Sequence, residues 1–463
     1  MSIQKTIMMS LCICILPMQM AFGQFAGGTG TSGDPYQIST AAQLAAADDL
    51  LAYYTAHFIL INDIDCSTDP GYPLWPRANQ DNGRQDGFCC FGGNQSYAGT
   101  FDGQGYSILN RTNSLLDSGI FTTFTIQNVV LSNVLIRPHH LVYLSGVAAV
   151  MPTHNGGNGS FHNIQVYGVV SNNASGQTGG MFAGLTTGMT VSNCTSYADV
   201  YGFGSVGGIS GSLGGSATME DSHAYGRIEG SGNNVGGLVG ALGGGTIFQC
   251  SAHGDVHQGS GDYGGGLVGV ISPSGTVRES FATGDVNSQS ESGGLVGGSV
   301  NSGAALMIDS YCTGNVGGSY SGNRQGGFMG EYARFAGGTH IIENCYSTGD
   351  MGSGSGGGFS GQMSTGGGTI SNCFAAGGTI ANSSGGFQVS GGVIYNCFWT
   401  NSATSDGVAT KVGNESHFYL AANSPIDEWD TTGIWCLDGS SLPCLRWDEN
   451  CCPPAEGMVL IFE

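Results

Sequence analysis

The sequence predicts an all-β fold: a right-handed parallel β-helix with an N-terminal cap and a short irregular C-terminal segment. Three observations predict it. A glycine motif returns at a nearly fixed interval, columns of like residues hold fixed offsets from that motif, and the composition supplies apolar residues for a core with few charges. The motif Gly-Gly-apolar-x-Gly occupies 207–211, 236–240, 265–269, 293–297, 326–330 and 357–361, with degenerate copies at Gly179-Gly180-Met181 and Gly385-Gly386-Phe387. Successive first glycines lie 28, 29, 29, 28, 33, 31 and 28 residues apart. A period in this range marks a solenoid and is too short for a propeller blade.

The columns specify the local structure. One is apolar in every copy: Val191, Met219, Ile247, Val277, Met307, Ile342, Ile370, Ile394. Two residues on, the position is polar (Asn193, Asp221, Gln249, Glu279, Asp309, Asn344, Asn372, Asn396), and the next is always Cys or Ser: Cys194, Ser222, Cys250, Ser280, Ser310, Cys345, Cys373, Cys397. Small residues follow two later, from Ser196 to Ala375, with Trp399 in the last copy, and Val200, Ile228, Val256, Val286, Val316 and Met351 close the unit. In the glycine motif the third residue is always apolar while the fourth varies, which reads as an inward-then-outward alternation of period two. Each unit is expected to hold roughly three short strands. No unit can bury its apolar face alone. Stacked units can, with about 4.8 Å between strands, and parallel crossovers favour the right hand.

Gly is 84 of 463 residues, charged residues are 10% and hydrophobic residues 40%. The apolar fraction argues against a disordered chain. A net charge of -22 with 11 Lys and Arg argues against nucleic acid, whose phosphates need clustered cations. Residues 1–23 read as a signal peptide: Lys5, an apolar stretch from Ile7 to Met20, and Ala21-Phe22-Gly23 at the cleavage site. The expectation is a secreted or cell-surface protein with no transmembrane segment in the mature chain. Residues 24–65 are assigned to the cap and first strand, with a short helix within 43–54. Residues 66–178 are irregular rungs, 179–399 the regular repeats and 400–463 the closing segment. Of 15 cysteines, 13 remain after residue 23. Cys345, Cys373 and Cys397, which share one column in consecutive rungs, are expected to be buried free thiols, since in-register side chains point parallel. The disulfide candidates are Cys436, Cys444, Cys451 and Cys452, whose pairing stays open among three connectivities.

The Gly-Gly-Leu-Val-Gly units, followed by segments such as Asn344-Cys345-Tyr346-Ser347-Thr348-Gly349-Asp350, resemble the GLUG-motif repeat family. The leader from Gly33 to Leu44, the segment from Gly99 to Ile108, and Gly439 to Trp447 near the end resemble parts of that family too, so the likeness spans about 27–447. It implies a secreted β-helix of the bacterial surface or adhesin type. One group in that family cleaves immunoglobulins with a zinc-binding His-Glu-x-x-His segment. This sequence has none, and His139-His140 is its single adjacent His pair.

No cofactor, metal site or catalytic set stands out. The Asp column (Asp199, Asp255, Asp285, Asp350) reads as repeated turn residues. Acid/base catalysis needs two carboxylates in unlike environments, and a repeated column supplies like ones. The polar column reads as a hydrogen-bonding turn ladder, and Asp102 as a turn residue. Thr283, Thr313, Thr348 and Thr400 share a column that Ala376 interrupts and that Tyr and His precede. The binding candidates are Phe281, Tyr311, Tyr346, Phe374 and Phe398, which follow the Cys/Ser column in five successive rungs. Alternation turns them outward, as an aromatic stripe for surface glycans or extracellular proteins, against the reading that the rings only stack on one another to stabilise the coil or belong to the core. Against this adhesive reading stands a polysaccharide-degrading enzyme, a lyase or glycosidase, on the same scaffold.

Overall fold

The structure is a computed structural model. It describes residues 24–47, 55–68, 98–112, 123–136, 146–150, 158–173, 176–300, 303–318, 324–331, 340–352, 356–363, 368–378, 385–390, 392–403 and 409–451. The signal-peptide assignment, Cys89, Cys90, Cys452 and the helix expected beyond residue 47 lie outside these residues.

The chain coils into a parallel β-solenoid of about eight turns. The apolar column is its axis of register: Val191, Met219, Ile247, Val277, Met307, Ile342, Ile370 and Ile394 each pair in parallel with the next. All but the half-buried Ile394 are fully buried in one continuous core. The irregular rungs upstream use two 14-residue strands, Thr123–Ile136 and Asn158–Ser171, which pair along their length and hand the register to Val191 through Phe161. At the N-terminal end a six-residue helix, Ala41–Ala46, adds Ala41 and Leu44 to the same core. Gln43 closes its first turn: the Ser39 N–H donates to Gln43 Oε1 (2.8 Å), and the Gln43 N–H donates to Thr40 Oγ1 (3.2 Å).

Each of the five units between Thr190 and Glu331 holds five strands, not three. One copy runs Thr246–Phe248, Ser251–Ala252, Val256–Gln258, Tyr263–Gly265 and Val268–Ile271. The extra pair comes from the glycine motif, which is an arch rather than one strand. The chain bends at the second glycine and third residue, so alternation restarts there. Both the third residue (Leu238, Leu267, Leu295) and the fourth (Val239, Val268, Val296) are therefore fully buried, and the outward fourth position expected from period two is wrong. The fifth residue must be glycine because the two legs of the arch pack back to back. A Cβ on Gly269 would lie 2.6 Å from the Val235 nitrogen and from the Gly240 carbonyl oxygen.

The polar and Cys/Ser columns form one device. Asn193, Asp221, Gln249, Glu279, Asp309, Asn344, Asn372 and Asn396 all adopt φ between 44° and 54°. This left-handed turn suits Asn and Asp better than other residues with side chains. Their side chains join into the expected ladder: Asn344 donates to Asp309 (3.0 Å), Asn372 to Asn344 (3.4 Å) and Asn396 to Asn372 (2.9 Å). The next residue turns inward and donates to the carbonyl two residues back, through Ser280 Oγ (2.7 Å), Cys345 Sγ (3.1 Å) or Cys373 Sγ (3.0 Å). The same atom accepts from the neighbouring rung, as when Cys250 N–H donates to Ser280 Oγ (3.1 Å). A short side chain with one donor and one acceptor fits there, which explains why only Ser and Cys occur. Cys345, Cys373 and Cys397 are free and buried. Burial pushes the Cys194 thiol up to about 12.

One buried base gives the coil a pH dependence. His340 is fully buried, and its Nδ1 accepts from the Ala305 N–H (2.9 Å), so protonating that atom breaks the bond. Burial lowers its pKa to about 4. The unfolded chain, with an ordinary histidine, then binds more protons between pH 6.5 and 4. Stability is full above that window and is lost as pH falls through it. Relative to a His340→Gln variant, the wild type is expected to lose about 3 kcal/mol between pH 7 and 4. Urea unfolding at both pH values checks this, and equal losses in the two proteins would contradict it.

Candidate functional site

Four of the five rings predicted as a stripe stack. Phe281, Tyr311, Tyr346 and Phe374 sit with centroids 4.8–4.9 Å apart and planes within 7°. Phe398 pairs with Phe374 in the next rung. They lie outside the main core, so their outward assignment holds, but they are not an exposed face. Phe281, Tyr311, Tyr346 and Phe374 are at most 6% exposed, and Phe398 is half-buried. The closing segment covers them. Phe418 stacks on Phe374 (3.9 Å), Trp429 and Trp435 pack beside Tyr346 (6.4 and 6.0 Å), and Trp447 stacks on Phe281 (5.4 Å). The indole N–H groups fasten this strap to the turn column: Trp429 donates to the Asn372 carbonyl (3.0 Å), Trp435 to Asp309 Oδ1 (3.3 Å) and Trp447 to the Glu279 carbonyl (2.7 Å). Tyr346 Oη donates to the Pro443 carbonyl (2.6 Å). Two of the disulfide candidates, Cys444 and Cys451, join within the strap, and Cys436 is also disulfide-bonded. An apolar stripe of this length was costly to leave in water, and the chain covers it with its own C-terminal aromatics.

Beyond Phe281 the aromatic ladder continues, displaced by two residues to the other outward column, with Tyr167, Tyr197 and Tyr225 exposed and His253 half-buried. Tyr167, Tyr197, Tyr225 and His253 stack at 4.5, 5.0 and 4.5 Å, with planes within 12°. His253 then meets Phe281 edge-on (5.5 Å), joining the two ladders. Tyr197 and Tyr225 are 41% and 44% exposed. The column between them and the turn carries Gln165, Thr195, His223 and Ser251. Ser251 Oγ lies 2.8 Å from both His223 Nδ1 and His253 Nε2, and His253 Nδ1 lies 3.1 Å from Thr283 Oγ1. Trp447 closes over His223 (5.7 Å). Burial chiefly lowers both histidines, against the attraction of Asp448. Ser251 is 1% exposed, so this chain of hydrogen bonds fixes the histidines rather than offering a nucleophile.

Sequence reasoning passed over the exposed rings although their column was in view. It is the column of Thr283, Thr313, Thr348 and Thr400, read for its threonines rather than for the Tyr and His before them. The Asp column is a backbone ladder: Asp199 Oδ1 accepts from the Arg227 N–H (2.9 Å), Asp255 from Asp285 (3.0 Å) and Asp285 from Asn315 (2.7 Å). Asp102 takes the Gln104 N–H (2.8 Å) and the Gln127 and Asn128 amides (2.7 and 3.1 Å), as a turn residue does.

Across the next corner lies a groove of about 260 Å³, lined by Tyr201, Glu229 and His257 from three successive rungs and by Asn172 and Ser231. Glu229 is its one carboxylate and pairs with Arg227 at 3.1 Å. No cluster of three His, Cys, Asp or Glu side chains suited to a metal occurs among the described residues. No helix among them is long and apolar enough to cross a membrane.

No family model matches the chain, and no curated protein matches it either. Among solved structures, a candidate immunoglobulin A1 protease from Bacteroides ovatus aligns over 93% of this chain and 97% of its own, at 18% identity and a TM-score of 0.31. An IgA1 protease aligns over 74% of this chain and 21% of its own, at 17% identity and a TM-score of 0.38.

Proposed function

We propose that this chain is a secreted or cell-surface binding protein without catalytic activity, with the uncovered ladder Tyr167–Tyr197–Tyr225–His253 as its contact face. One observation carries the reading. The chain spends its C-terminal segment covering the aromatic stripe from Phe281 to Phe398, yet leaves the continuation of that ladder in water. Exposed aromatic residues on an otherwise polar surface mark contacts. The export signal expected at residues 1–23, the disulfides of the strap and the resemblance to surface-protein repeats agree with an extracellular setting. The enzyme alternative finds less support. The groove brings one carboxylate, already paired with Arg227, where glycoside hydrolysis generally uses two.

The test is the double variant Tyr197→Ala, Tyr225→Ala, assayed against immobilised polysaccharides and extracellular proteins. Binding should fall at least about tenfold, equivalent to roughly 1.4 kcal/mol, with little change in Tm. Unchanged binding would place the contact elsewhere. Release of new reducing ends or unsaturated products by the wild type would replace the reading with the enzymatic one.

A further inference from the structure

We infer that the ladder's ligand is an extended, uncharged polysaccharide lying along the coil with one sugar per rung. This rests on the binding reading above and narrows it. Three observations select the ligand.

The first is spacing. The exposed rings repeat every 4.5–5.0 Å along the coil. An extended peptide laid in the same direction presents same-face side chains every ~6.7 Å, twice its rise per residue, and falls out of step within two rungs. A chain of equatorially linked six-membered sugar rings advances by close to one rung per residue and stays in step.

The second is the chemistry the ladder shows to solvent. Ring faces are consumed by the stack, with neighbouring planes within 12°. What remains outward on Tyr167, Tyr197 and Tyr225 is ring edges and hydroxyls, beside Gln165 and Thr195 on the same strands. That surface offers hydrogen-bond donors and acceptors on the rungs of Tyr167, Tyr197 and Tyr225, whereas both ring nitrogens of His253 are already bonded to Ser251 and Thr283. It matches a polymer whose every residue carries hydroxyls, and offers an apolar peptide side chain no pocket.

The third is charge. Glu220 and Asp221 are exposed on one flank of the ladder, and Asp255 is exposed with Asp199 half-buried on the other. Between residues 158 and 260 the chain has one Lys or Arg, Arg227, and that side chain is paired with Glu229. A polyuronate or sulfated glycan would meet like charge beside Tyr197, Tyr225 and His253, with no free cation among the described residues of these rungs to receive it.

The experiment titrates the full mature chain with neutral β-1,4-linked hexose oligomers of two to six sugars, with polygalacturonate, and with immobilised extracellular proteins. Affinity should rise with length and level off near four sugars, matching the four ladder residues. Tyr197→Ala should lower it by about tenfold at unchanged Tm, and polygalacturonate should not compete. Length-independent affinity, or polygalacturonate binding as tightly as the neutral chains, would overturn the inference. So would binding to proteins alone with every oligomer silent, although the binding reading itself would then stand. Silence of all three ligand classes would remove both.

Discussion

Replacing Trp435 by alanine is expected to cost about 3–5 kcal/mol, the range for emptying a large buried aromatic site. Trp435 is fully buried, in contact with Tyr311 (6.2 Å), Tyr346 (6.0 Å) and Trp429 (4.5 Å). Its indole also donates to Asp309, a buried carboxyl whose pKa burial already raises. The truncation leaves a cavity at the middle of the strap and takes a donor from that carboxyl. Because the strap beyond Val412 is seated by successive aromatics rather than by a strand ladder, loss of the central one should also release its neighbours. Urea unfolding should show the lower stability, and a hydrophobic dye should bind the uncovered Tyr311 and Tyr346 rings below the unfolding transition. A loss under about 1 kcal/mol without dye binding would mean that the strap does not hold the stripe covered. Trp447→Ala, at the half-buried tip, should cost less and act first on His223 and Phe281, which it stacks against.

The fold was legible because stacking turns a repeat in sequence into a ladder in space. The column from Val191 to Ile394 required nothing beyond like residues at like offsets, and the parallel register follows it residue for residue. The turn ladder of Asn344, Asn372 and Asn396 was legible for the same reason, with a side chain suited both to positive φ and to its own neighbour. The arch was not. Val239 and Val268 look like the outward half of an alternation, and only a bend at the preceding residues brings them inward. A period-two reading has no means of seeing a bend inside a five-residue motif. The site was half legible. The outward direction of Phe281, Tyr311, Tyr346 and Phe374 followed from alternation. Their burial depends on contacts such as Trp447 with Glu279, 168 residues apart, which no local pattern encodes. Tyr197, Tyr225 and His253 were overlooked because a column that changes from aromatic to threonine partway along the coil reads as a broken column. In the structure that change marks where the ladder passes from one outward position to the other.

The second glycine of the motif should be among the most sensitive positions in the coil. In Gly266 a Cβ would stand 2.0 Å from the Gly294 carbonyl oxygen and 3.0 Å from the Ala282 Cβ. The first contact is with backbone of the next rung, which is held in place by its own parallel pairing, so no side-chain rotation relieves it. Gly266→Ala is therefore expected to cost more than about 3 kcal/mol, at or beyond the upper range for overpacked cores, and to separate the arch locally from the rung that follows. Gly243→Ala is the matched control. Its nearest neighbours are 3.8 Å away, its φ is not left-handed and it sits at the exposed end of a strand, so the change should stay within about 0.5 kcal/mol. Thermal and urea unfolding of the two variants beside the wild type measure the difference. If Gly266→Ala unfolds like Gly243→Ala, the rungs are not packed as closely through the arch as these contacts require. The small column gives the same constraint from the other side. Ala224, Ala252 and Ala282 lie 2.7–3.0 Å from the Cβ that Gly208, Gly237 and Gly266 lack, and at the final copy the Trp399 ring takes that space against Gly386. A tryptophan is accommodated there because Gly386 has no side chain, so Gly386→Ala should displace the ring and expose the end of the core.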